Sequence, residues 1–249
     1  MKLFLFLLLT TNALQAQTAE PPSLEVVLSL NGRDQAVLQP GEALIASAAF
    51  LSSGQTRERA ATASLTLWRS DGTQVENDLH ERETNTSLAE GQELVLRLWT
   101  VSPEVTAKLP PGEYLAWLES EGQEPAAARF RVEASISADD LDHQAMRCLM
   151  LSRWLELEAQ FDQAVQVAEE LIALQPDNLA ARIRRADALT AAGRLDDALA
   201  ALNNAERQYA SLHPAGTHPP VLIQKRQEKL LKALGQGDDT LDGVSSRKP

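Results

Sequence analysis

Two stretches thirty-four residues apart share one shape under different spelling, "LEAQFDQAVQVA" at 157–168 and "AAGRLDDALAAL" at 191–202. Ala164 and Ala198 keep that interval, as do Phe161 and Leu195, and Ser152 and Ala186. An interval of this length accommodates two helices and a turn. Small residues are needed where the helices cross closely, bulky ones fill the hollow beside each crossing, and a glycine permits the tight reversal.

The period and its residues resemble the tetratricopeptide repeat. In the second unit Ala186 and Leu189 lie on the first helix, Gly193 makes the turn, Leu195 follows, and Ala198, Leu202 and Ala205 mark the second helix. In the first unit Ser152, Leu155, Phe161 and Ala164 take the matching places, and "LQPDN" closes the unit with Pro176. Three features depart from the family pattern. Gln160 stands for the turn glycine, Ala168 and Leu171 exchange large and small, and Arg182 and Arg185 occupy places where apolar residues are common. The resemblance implies a concave face built from the first helix of each unit, where a partner segment would lie. It projects there Met146, Leu149, Arg153, Glu156 and Leu157, then Ile183, Asp187 and Thr190. A lysine–asparagine clamp for a C-terminal carboxylate is missing from this set.

Two units leave sticky ends, since about three repeats are needed for a stable stack. "PPVLIQKRQEKLLKALG" at 219–235 reads as a capping helix, with Leu222, Ile223, Leu230, Leu231 and Leu234 toward the stack and Lys225, Arg226, Lys229 and Lys232 outward. At the other end "SADDLDHQ" reads as a helix start, with Ser137 as cap, Asp140 completing a capping box and Asp139 favouring the dipole. The helical domain is thus expected over 137–235, followed by a tail at 236–249 of disordered composition.

Ahead of residue 136 the period is two. "SLEVVLSL", "LVLRLWTV" and "AARFRVEA" alternate apolar and polar, placing Leu94, Leu96 and Leu98 inward with Arg97 outward in the second. Turn signals at Asn31-Gly32, Pro40-Gly41, Asp71-Gly72 and Pro111-Gly112 separate about seven strands within 22–135. "LPPGEYLAWLE" resembles the tyrosine corner of immunoglobulin-like and fibronectin type III-like domains, which implies that the Tyr114 hydroxyl bonds back to the upstream backbone. The fold class expected is therefore multi-domain, an N-terminal antiparallel β-sandwich followed by an all-α repeat array. Trp68, Trp99 and Trp117 can serve as packing residues or as a carbohydrate-stacking face.

"MKLFLFLLLTTNALQA" has one positive charge, a short apolar run and a small-residue exit, which is the layout of a secretory signal peptide ending at residue 16 or 19. A periplasmic or secreted location follows as an expectation. The chain carries a net charge of −12, and the segment 1–16 holds Lys2 and no acid, so the remainder is more negative by one. That balance argues against nucleic acid as a partner, and no later stretch approaches the roughly 20 apolar residues of a membrane span. Cys148 is the only cysteine, so no intrachain disulfide can form.

Chemistry is sparse. Zincin, phosphate-loop, dinucleotide and nucleophile-elbow patterns do not occur. His213 and His218 flank a short loop without nearby acids, and "DDLDH" at 139–143 is explained by helix-start acidity. No cofactor or metal is expected. The sequence points to a non-enzymatic adaptor for an unidentified protein partner, with a carbohydrate or cell-wall binding module as the alternative.

Overall fold

The computed structural model describes residues 25–235 apart from 34, 53–61, 76–78, 88–92, 122–123 and 215–217. The expected export segment and the tail lie outside the described residues.

Among the described residues nine strands form two sheets: β1 (Glu25–Leu30), β2 (Gln35–Leu38), β3 (Leu44–Ser52), β4 (Ser64–Arg69), β5 (Gln74–Val75), β6 (His80–Ser87), β7 (Glu93–Val101), β8 (Gly112–Glu119) and β9 (Ala126–Val132). The four-stranded sheet runs β1-β3-β7-β6 and the five-stranded sheet β2-β9-β8-β4-β5. All pairs are antiparallel except β2 with β9, so the second sheet is mixed. Phe50, Leu67, Val95, Trp99, Leu118 and Phe130 fill the space between them. A two-residue hairpin turn at Asn31 and Gly32, both at positive φ, sends the chain from β1 toward β2. The buried Asn31 side chain then accepts from Ile45 N at 2.8 Å and donates to Ala43 O at 3.3 Å, pinning the turn to β3. Tyr114 Oη donates to Pro110 O at 2.6 Å and its ring stacks on Phe130, holding the entry to β8 after the short helix α1 (Pro103–Thr106).

Two of these strands add to the seven expected from the sequence. β2 is four residues long, and β6, "HERETNTS", is polar throughout as an edge strand can be. The facing of β7 reverses the expectation. Val95, Arg97, Trp99 and Val101 point into the sandwich, with Arg97 paired to Glu81 and its guanidinium over the Trp99 ring, whereas Leu96 and Leu98 face away from it. The physical reason is that both faces of this sheet are covered and both carry apolar residues, so alternation alone does not say which face is the inner one.

What covers the outer face is the first helix of the array. The helices are α2 (Leu141–Leu157), α3 (Phe161–Leu174), α4 (Leu179–Ala191), α5 (Leu195–Leu212) and α6 (Val221–Ala233). Ile45 and Leu98 meet Met150 in a buried cluster, joined by Leu96, Met146, Leu149, Trp154 and Leu157. Both ends of α2 are tied to the sandwich: His143 Nε2 lies 2.9 Å from Glu42 Oε1, and His80 Nδ1 lies 3.2 Å from Glu158 Oε1. The connecting segment stays on the sandwich through Glu133 N donating to Leu38 O and Gln39 Nε2 donating to Ile136 O.

Three local expectations change. The helix cap is Asp140, accepting from His143 N at 2.9 Å, because Ser137 serves a separate turn by accepting from Asp139 N. The left-handed turn position of the first unit is Ala159 at φ 59°, matching Gly193 at φ 73°, while Gln160 is the N-cap of α3. On α6 only Ile223 and Leu230 are buried; Leu222 is 51% exposed and Arg226 turns inward to Asp187. Within the stack Ser152, Ala164, Ala186, Ala198 and Ala205 are buried at the crossings, and Phe161 and Leu195 open α3 and α5 half-buried.

Candidate docking groove

Side chains four and seven residues apart share one helix face. Leu149, Arg153 and Glu156 make such a stripe on α2, and Ile183, Asp187 and Thr190 repeat it on α4. The two stripes line an open groove of about 600 Å³, completed by Met150, Ala180, Arg184 and Ala191 on the same helices and by Leu222 and Arg226 from α6. Six of the eight residues projected from the sequence thus come together. Met146 sits a turn earlier beside a separate depression of about 310 Å³, and Leu157 packs toward the sheet in the cluster of Ile45 and Leu98.

The groove carries its own electrostatics. Arg226 donates two hydrogen bonds to Asp187, at 2.7 and 2.9 Å, and this bonding raises the Arg226 pKa. The buried Arg184 pairs with Glu156 and donates to Ser152 Oγ at 3.0 Å; Ser152 Oγ donates in turn to Ala164 O at 2.8 Å. Ser152 is small for the crossing and polar for the arginine. Arg153 is different. Among the described residues it forms no hydrogen bond or ion pair, and burial followed by the neighbouring Arg184 cation lowers its pKa, against the opposing pull of Glu156 and Asp187. A guanidinium remains charged regardless. Arg184 was not singled out from the sequence, and Leu222 and Arg226 were assigned to the capping helix and not to the groove. The signal available was their spacing: Arg184 and Asp187 are one turn apart, as are Leu222 and Arg226.

Elsewhere, Trp99 is core, but Trp68 and Trp117 lie half-buried on the outer face of the five-stranded sheet. With Thr66, Leu115 and Glu119 they surround a depression of about 260 Å³, where Trp117 Nε1 donates to Glu119 Oε1 at 3.0 Å. The Cys148 thiol is buried, which pushes its pKa up and keeps it protonated. Among the described residues no three His, Cys, Asp or Glu side chains gather as metal ligands, and no helix is long and apolar enough to cross a membrane.

Residues 156–214 match the family model described as tetratricopeptide repeat. The helical half carries a tetratricopeptide-repeat segment. It runs from the last turn of α2 through α3, α4 and α5, leaving most of α2 outside. That helix serves the sheet as well as the stack, and its sequence answers to both. The solved N-terminal Ig1-2 module of the Drosophila receptor protein tyrosine phosphatase DLAR is similar at 16% identity, covering 48% of this chain and 51% of its own, with a TM-score of 0.25. The chain thus spans about half the length of that module. No curated protein matches the chain.

Proposed function

We propose that this protein is an exported, non-enzymatic adaptor whose repeat groove docks an extended segment of a partner protein. The observation carrying this reading is the continuity of the groove across alternate helices α2, α4 and α6, lined by polar and apolar side chains together. The export signal expected at 1–16 supports a periplasmic or secreted location. The sandwich braces the array through α2. A photo-crosslinking residue at Thr190 should capture a defined partner from envelope extract, and one at Glu113, on the exposed sandwich face, should not; equal capture at both sites would refute groove docking.

A second reading rests on Trp68 and Trp117. Half-buried indole rings beside Thr66 and Glu119 offer a stacking surface with polar edges, suited to a saccharide. Retention on peptidoglycan or another glycan, lost on Trp117→Ala, would support it; passage of the wild-type chain without retention would reject it.

A further inference from the structure

The groove concentrates positive charge in an acidic protein. Three arginines face two carboxylates there, while the whole chain is at −12. Arg184 and Arg226 are satisfied by Glu156 and Asp187. Arg153, between them, brings the surplus charge and an unfilled fork of donors. Around it stand Leu149, Ile183 and the half-exposed Leu222. A partly desolvated guanidinium gains most from a planar carboxylate, which it can hold in two parallel hydrogen bonds. Nearby apolar surface gains from covering by an aliphatic or aromatic side chain.

Resting on the docking reading above, we propose that the groove selects an internal peptide segment of a partner in which an aspartate or glutamate side chain seats on Arg153 and an adjacent large apolar side chain covers Leu222. Charge complementarity favours this occupant over a basic or neutral segment. The acid is assigned to a side chain because the groove lining holds no lysine or asparagine to clamp a C-terminal carboxylate.

The test screens the intact protein against a random heptapeptide library held at both ends by its display scaffold. Enriched sequences should carry Asp or Glu within two positions of a large apolar residue. A synthetic peptide of the best sequence, acetylated and amidated, should lose at least tenfold in Kd when its acid becomes the amide. Arg153→Gln should cause a similar loss, and the two losses should not add, because they remove one contact. Arg153→Lys should retain part of the affinity. Unchanged melting temperatures would establish that these variants fold. Enriched peptides that lack acids and ignore Arg153→Gln, yet lose binding on Leu222→Arg or Ala191→Trp, would overturn the acidic specificity and leave groove docking intact. Absence of enrichment, or binding indifferent to both groove-filling variants, would overturn the two together.

Discussion

Ala159 holds a left-handed backbone that costs an L-residue about 1–2 kcal/mol, and Gly193 meets the same demand without a Cβ. Nothing lies within 4 Å of where a Cβ on Gly193 would sit, so backbone strain alone separates the two sites. Ala159→Gly should therefore raise stability by about 0.5–1 kcal/mol after the extra unfolded-state entropy of glycine is counted. Gly193→Ala should lower it by a similar amount, both read from urea midpoints. An unchanged midpoint for Ala159→Gly would show that the first turn relaxes the strain elsewhere. Ser152 offers the complementary case. Ser152→Ala keeps the crossing small but strips Arg184 Nε of its acceptor in a buried place, at a cost of about 1–3 kcal/mol. A loss under about 0.5 kcal/mol would mean that the carboxylate of Glu156 alone satisfies the arginine. The serine was legible as a small residue. Its polarity was not, because the partner is 32 positions away and on another helix.

At the scale of elements, what periodicity discloses depends on how many faces an element buries. α5 has one dry face, and its buried Ala198, Leu202 and Ala205 were readable from spacing. Ala198 is fully buried, so Ala198→Leu should overpack the crossing and cost about 1–3 kcal/mol, with loss of the thermal transition's sharpness as a second sign. A neutral outcome would mean the helices part freely there, against the reading of the 34-residue interval. β7 and α2 bury two faces each. Alternation in "LVLRLWTV" identified a strand but misassigned its sides, since Val95 and Trp99 serve the sandwich while Leu96 and Leu98 serve α2, and both sides are apolar. β6 has no apolar alternation to read, and only its pairing with β7 identifies it. On α6, Leu222 and Arg226 form one stripe bordering the groove, so grouping leucines inward and cations outward by type alone placed both wrongly.

The whole molecule depends on a contact that neither half advertises. A stack of two repeat units leaves its terminal faces bare. Ile223 and Leu230 of α6 close one end, and the four-stranded sheet covers α2 at the other. Ile45, Leu98 and Met150 belong to this junction and to neither domain's own core. A carboxylate at Met150 should uncouple the halves while sparing both cores. Removing its burial and stranding a charge costs on the order of 2–4 kcal/mol. For a domain of about 100 residues that lowers Tm by about 10 °C or more. Calorimetry of the intact chain should show one transition, and Met150→Asp should split it, the helical half melting first. Residues 136–249 alone should melt in the same range as that earlier step. A single unshifted transition in Met150→Asp, or an isolated helical half as stable as the whole, would mean the repeats stand without the sandwich. The sheet would then be a neighbour of the groove and not its brace.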